Sequence, residues 1–184
     1  MRPDLSDELR GELITVHKYH LSDADALKEA IATSYKHLHG WMVWAQKPPT
    51  DESILAFLAP AVEKFGAGAD AHYATTLTED ARYVGGCGLT PTVGESALEI
   101  GYWVDVRFLG RGIATRSARM LTEAAFGLES VERVEIHCDE ANRRSAAVPR
   151  RLGYRLDRVE SHELATPLAT GRHIIWVADR GASR

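Results

Sequence analysis

Glu99-Ile100-Gly101-Tyr102-Trp103-Val104-Asp105-Val106-Arg107-Phe108-Leu109-Gly110-Arg111-Gly112-Ile113-Ala114-Thr115 carries an alternating apolar run through a Gly-x-Gly turn into an amphipathic helix, Ile113 to Gly127. Two glycines with one residue between them let the backbone bend tightly and come close to a ligand. The free N–H groups at the start of the helix, together with the positive end of its dipole, converge on an anion. A pyrophosphate fits such a turn, and Arg107 and Arg111 are placed to add charge at its rim. Gly-x-Gly before a helix is weak evidence alone, because an ordinary helix start with convenient glycines looks the same. Two nucleotide-binding folds are disfavoured. Thr115 stands where the dinucleotide fingerprint wants its third glycine, the preceding strands form a meander instead of a parallel β-α-β unit, and the Walker lysine is absent.

Working outward, His72 to Thr78, Arg82 to Thr90 and Ser96 to Val106 read as three antiparallel strands with turns at Glu79-Asp80 and Val93-Gly94. Glu12 to Tyr19 is β-rich and ends at Leu21-Ser22-Asp23, where Ser22 is placed to cap a helix. That helix carries Ala26, Leu27, Ala30, Ile31 and Ser34 on one face and closes at His39-Gly40. After a Trp-rich loop, Thr50-Asp51-Glu52-Ser53 opens a second helix with Ile54, Leu55, Leu58, Ala61, Val62 and Phe65 at helical spacing and Gly66 to Gly68 at its end. Pro60 is expected to kink or split it. Downstream of Gly127 come a strand at Val131 to Cys138, a helix from Asn142 to Leu152, and strands near Tyr154 to Glu163 and Arg172 to Asp179. The order β-α-α-β-β-β-α-β-α-β-β is mixed α+β. With no internal repeat, low-complexity segment or linker, residues 1–184 are expected to form a single domain.

Composition excludes several classes. The 22 Lys plus Arg against 26 Asp plus Glu leave a formal charge of −4, so no strong positive field recruits nucleic acid. Cys87 and Cys138 lie far apart and make neither a metal-ligand spacing nor a disulfide framework, and both read as buried strand residues. Of the eight histidines only His37 and His39 are close, and on a helix they diverge, so no metal site is expected. The charged Met1 to Arg10 lacks the apolar run of a signal peptide, and no segment approaches the roughly 20 apolar residues of a membrane span. A cytoplasmic protein with no membrane and no nucleic-acid partner is the expectation.

The run Glu99 to Val104, followed by Arg107-x-x-Gly110-x-Gly112-x-Ala114-Thr115, resembles the acetyl-CoA signature of GNAT acetyltransferases, most closely the RimJ/RimL type. The second half agrees. Val134-Glu135-Ile136-His137-Cys138-Asp139-Glu140-Ala141-Asn142-Arg143-Arg144-Ser145, closing at Arg151-Leu152-Gly153-Tyr154, is similar to that group's strand, Asn-x-x-Ser helix and Lys-Leu-Gly-Phe close. The resemblance covers roughly residues 12 to 180. It implies a mixed sheet flanked by helices, with two central strands, Ser96 to Val106 and Val131 to Cys138, splayed apart to admit the co-substrate.

By that resemblance, Trp103, Val104 and Val106 offer backbone groups to the pantetheine arm, and Leu109, Gly110, Arg111, Gly112, Ile113 and Ala114 hold the diphosphate. Asn142 bonds the pantetheine, although as a preferred N-cap it suits that role equally. The reaction needs an uncharged amine, a donor for the developing oxyanion and a proton partner for the departing thiolate. The same resemblance implies the Val104 N–H as the oxyanion donor. Many relatives use a helix tyrosine as general acid, but Pro149 stands at that place here, so Ser145 is assigned to the thiolate, while an ordinary first-turn serine remains the plain alternative. The base is Glu99 acting through water, or Glu163 on the late strand; either is also simply a solvated strand glutamate. Trp41-Met42-Val43-Trp44 resembles the loop lining the amine pocket, with core packing the competing role for Trp41 and Trp44.

The resemblance implies an N-acetyltransferase that moves the acetyl group of acetyl-CoA to a primary amine by direct attack, with an α-amine at a protein N-terminus leading. A small-molecule amine, such as an antibiotic or metabolite, is the alternative, because acceptor specificity lies in variable loops. A non-catalytic acyl-CoA-binding module, suggested by Pro149, is the third reading. Succinyl-CoA is open as donor, and a homodimer is implied by relatives.

Overall fold

The computed structural model describes residues 5–67, 71–91 and 94–181. The strands are β1 (Glu8–Arg10), β2 (Ile14–Lys18), β3 (Ala71–Leu77), β4 (Tyr83–Thr90), β5 (Ala97–Val104), β6 (Arg133–Asp139), β7 (Arg155–Ser161) and β8 (Arg172–Asp179). The helices are α1 (Ala24–His39), α2 (Asp51–Ala67), α3 (Ile113–Gly127) and α4 (Arg143–Arg151). One sheet runs β1-β2-β3-β4-β5-β6-β8-β7, antiparallel throughout except for the parallel pair β5 and β6.

Helices cover both faces, and the central strands β3 and β4 are accordingly buried along nearly their whole length. Ile113, Ala118, Leu121 and Ala125 of α3 and Ala146 and Val148 of α4 pack on Ile100, Val104, Ile136 and Cys138. On the other face Leu27, Ala30 and Leu38 of α1 and Ile54, Leu58 and Ala61 of α2 pack on Ala74 and Tyr83. The first helix is preceded by a 3₁₀ turn, Leu21–Asp23, and Asp23, not Ser22, makes its N-terminal contact by accepting from the His20 N–H at 2.8 Å. Thr50 and Ser53 cap α2 reciprocally, each hydroxyl accepting from the other's N–H at 3.1 and 2.9 Å, an arrangement that stabilises a helix start by about 1 kcal/mol. This helix runs on through Pro60 without splitting.

β1 was not foreseen, and three residues are too few for a period to show. β5 ends at Val104, and Val106 lies instead in a 3₁₀ turn, Val106–Phe108, because Asp105 accepts from the Arg107 N–H at 2.9 Å and bends the chain there. β7 stops at Ser161, so Glu163 is not on a strand. The expected helix end at Gly68 and the turn at Val93 lie outside the described residues.

Candidate active site

β5 and β6 pair at only three positions, Ala97 with Arg133, Leu98 with Val134 and Glu99 with Glu135. Beyond them β5 runs on to Val104 and β6 to Asp139 without a partner in each other, and a wedge opens between the strands. An open cleft of about 1060 Å³ passes through it. The cleft joins the Gly-x-Gly turn, Tyr102, the α4 residues Asn142 and Ser145, and His37, Trp41 and Met42 from the α1 side.

At the turn, Gly110 and Gly112 have φ of 78° and 74°, left-handed conformations that side chains resist. The first α3 hydrogen bond reaching this turn is Arg116 N–H to the Gly112 carbonyl at 3.1 Å, which leaves the N–H groups of Ile113, Ala114 and Thr115 without intrahelical partners and facing the cleft end. Arg116 folds over the turn, its Nη1 donating to the carbonyls of Arg111 and Gly112 at 3.3 Å each. It supplies the local positive charge. Arg107 does not: Asp105 at 2.6 Å and Glu29 at 2.8 Å hold its guanidinium, and these hydrogen bonds push its pKa up. Arg111 lies 5.1 Å over the Phe108 ring and is not part of the cleft wall. The Val106 N–H is engaged by Ser34 Oγ at 2.9 Å, so Val106 has no donor for a ligand.

Val104 is differently placed. The Asp105 N–H donates to Val84 O on β4 at 2.9 Å, and successive amides of a strand alternate sides, so the Val104 N–H points into the gap left by β6. Across that gap Asn142 caps α4, its side-chain oxygen accepting from the Ser145 N–H at 3.1 Å, and both residues line the cleft. Capping and ligand contact are thus available to Asn142 together. Tyr102 Oη reaches across from β5 to the Ser145 carbonyl at 3.0 Å and Ser145 Oγ at 3.2 Å. Burial pushes the Tyr102 phenol up, so it stays protonated near neutral pH. Burial likewise pushes the neighbouring Cys138 thiol up to about 11, although hydrogen bonds with Ser145 and Trp176 pull the other way.

On the opposite sheet face, strand alternation groups Glu99, Gly101 and Trp103. His137 Nε2 lies 2.7 Å from Glu135 Oε2, and its Nδ1 lies 3.8 Å from Glu99 Oε2, so a histidine sits between two carboxylates where the strands begin to part. Glu135 is buried and also meets Arg158 at 3.5 Å and Arg133 at 3.7 Å. Glu163 is exposed in the following loop. Trp41 lines the cleft, whereas Trp44 is outside its wall and packs edge-on against Trp103, 5.9 Å between centroids. Burial and the nearby Arg144 hold the His37 pKa down, favouring the neutral ring at the cleft mouth. The segment 162–171 borders this side. Leu168 donates its N–H to the Gly40 carbonyl at 3.2 Å, and its side chain lies over Gly40, where a Cβ would stand 2.6 Å from Cδ1 and make the leucine shift. Asp139 clips the same segment, accepting from the Thr170 N–H at 2.8 Å and hydroxyl at 3.0 Å, and from the Ala141 N–H at 2.9 Å. Burial alone would raise the Asp139 pKa, but these hydrogen bonds outweigh it and hold it below 3.8.

Tyr102 and His137 escaped the sequence reading. The signal for both was alternation: Tyr102 shares a face with Ile100 and Val104, and His137 shares one with Glu135. Among the described residues no group of three or more His, Cys, Asp or Glu is arranged to hold a metal ion, and no helix is long and apolar enough to cross a membrane.

A mixed sheet parted beside an anion-binding turn is matched by the family model described as acetyltransferase (GNAT) domain over residues 14–155. The chain belongs to the GNAT acetyltransferase family. This GNAT acetyltransferase is 30% identical over 149 residues to the Bacillus subtilis (strain 168) protein named "Putative ribosomal N-acetyltransferase YdaF", covering 78% of the chain and 79% of that protein. It superposes with a TM-score of 0.84 and 18% identity on RimL, a ribosomal alpha-N-protein acetyltransferase solved with coenzyme A, covering 100% of both chains. The microcin C7 self-immunity acetyltransferase MccE, solved with acetyl-CoA and AMP, gives 0.84 and 18%, covering 92% of this GNAT chain and 93% of its own. At these identities the two structures show the shared fold.

Proposed function

We propose that this GNAT acetyltransferase binds acetyl-CoA in the parted strands and passes the acetyl group directly to the α-amine of a protein or peptide N-terminus in the cytoplasm. The observation that carries the proposal is the continuity of the cleft, which puts the Gly110–Gly112 turn, Ser145 and Trp41 on one opening. YdaF and RimL, whose names specify ribosomal acetylation, support the acceptor class. The diphosphate takes the unpartnered N–H groups at the start of α3 and the Arg116 charge. The Val104 N–H faces the thioester oxygen as it gains charge. Glu99, with His137 behind it and Glu135 fixing that ring, removes the ammonium proton through water so that the neutral amine attacks. The N–C bond forms, the C–S bond breaks, and Ser145 Oγ hydrogen-bonds the departing thiolate, which solvent protonates. Trp41 lines the acceptor side and Trp44 braces Trp103. A homodimer belongs to the same reading, and light scattering at micromolar concentration tests it.

The functional test is thiol release from acetyl-CoA and succinyl-CoA against peptide N-termini, polyamines and aminoglycosides. Turnover confined to peptides supports the proposal. Turnover confined to small amines overturns the acceptor, and a thermal shift with CoA but no turnover favours a binding module. Ser145→Ala is expected to lower kcat by about 100-fold, the low end of the range for losing one transition-state donor, while the Kd for CoA moves less than about twofold because the Asn142 cap bonds the backbone. Full rate in this variant removes Ser145 from the mechanism.

A further inference from the structure

Pro149 lies inside α4, four residues after Ser145. In an α-helix the N–H of residue 149 would donate to the carbonyl of residue 145, and proline has no N–H to give. The Ser145 carbonyl therefore loses its i+4 partner in a partly buried place, where an unmade hydrogen bond is costly. It receives a different donor: Tyr102 Oη, from β5 on the far side of the parted strands, at 3.0 Å.

We propose that Tyr102 and Pro149 form a matched pair, in which the tyrosine hydroxyl replaces the helix hydrogen bond that proline removes and so fastens α4 across the cleft, making Tyr102 a positioning residue for Ser145. The direction of the protons follows. A carbonyl only accepts, so the one Tyr102 proton goes to Ser145 O. Ser145 Oγ, 3.2 Å from Tyr102 Oη, then rests its own proton on the phenol oxygen. A thiolate is the stronger acceptor and draws that proton away when it forms. Tyr102 thus holds both the backbone and the resting hydroxyl orientation of Ser145. Without Pro149 an ordinary helix amide would satisfy the carbonyl, and the helix would have no such tether to β5.

This inference rests on the assignment of Ser145 to the thiolate, and a double-mutant cycle separates the two ideas. Tyr102→Phe is expected to reduce kcat about tenfold with KM for acetyl-CoA within twofold, and to lower the urea midpoint. Pro149→Ala restores the amide. In that background Tyr102→Phe should cost less than threefold in kcat and shift the urea midpoint by less than half as much as it does in the wild type. Equal midpoint shifts in the two backgrounds overturn the pairing. Coupled midpoints with kcat unchanged by Tyr102→Phe overturn the positioning role. Ser145→Ala at full rate, beside coupled midpoints, defeats the thiolate assignment while the Tyr102–Pro149 pairing stands.

Discussion

Asp139→Asn tests whether the segment 162–171 serves the acceptor. In the wild type one carboxylate oxygen accepts from the Ala141 N–H and the Thr170 hydroxyl, and the other from the Thr170 N–H at 2.8 Å. Asparagine keeps one acceptor oxygen and can retain the Ala141 contact, but its NH₂ then faces the Thr170 N–H, leaving two donors opposed. Losing one bond to a charged acceptor and stranding an amide costs about 2 kcal/mol at this nearly buried position, a factor of about 30 in the opening equilibrium of the segment. The Thr170 hydroxyl bond to the retained oxygen, the Leu168 to Gly40 bond and the stacking of His162 on His173, 4.2 Å between centroids, then hold it without the Thr170 amide. The expected result in steady-state kinetics is an acceptor KM raised about 10- to 30-fold with KM for acetyl-CoA changed less than twofold. The pH dependence has a definite sign. Because the folded-state pKa lies below the ordinary 3.8, the stabilisation is complete above that value and disappears as pH falls through the lower folded-state pKa. The urea midpoints of wild type and Asp139→Asn should differ at pH 7 and converge below pH 3.8. An equal loss of affinity for acetyl-CoA and acceptor, or a midpoint difference unchanged at acid pH, would refute the reasoning.

Two further outcomes concern the charges around the cleft. Glu99→Gln is expected to lower kcat/KM by about 100-fold or more, with CoA affinity retained; an unchanged kcat/KM removes Glu99 as base. At Gly110 a Cβ meets nothing within 4 Å, so Gly110→Glu and Gly110→Lys share the same backbone strain at φ 78° and differ in charge. Calorimetric titration should find CoA binding lost in Gly110→Glu and weakened by less than about tenfold in Gly110→Lys, and equal losses would assign the effect to strain alone.

Much of the fold was legible because local rules state it. Helical spacing of apolar residues marked α1, α2 and α3, and period two marked β3, β4 and β5, although β3 and β4 are buried on both faces. The Gly-x-Gly turn was legible because two left-handed residues in three demand glycine. What failed depended on partners distant in sequence. Val106 reads as strand until Asp105 turns the chain and Ser34, 72 residues earlier, engages its amide. Arg107 reads as an anion ligand until Glu29 and Asp105 neutralise it. Tyr102 and His137 acquire meaning only when the register brings β6 beside β5, information that no local window contains. Pro149 was recognised as a departure, but its partner lies on another strand.

The sheet is two blocks, β1 to β5 and β6-β8-β7, held edge to edge by three residue pairs. Each block presents a bare inner margin beyond that short seam, of the kind that on an outer surface would invite another chain to pair. Here the margins face one another across the cleft that we propose takes the amide-bearing arm of acetyl-CoA. On that proposal a bound guest would work as a removable strand, and the seam would become a clasp whose firmness follows guest concentration. Resistance to local opening at the seam would then report how well supplied the protein is, independently of how fast it turns over.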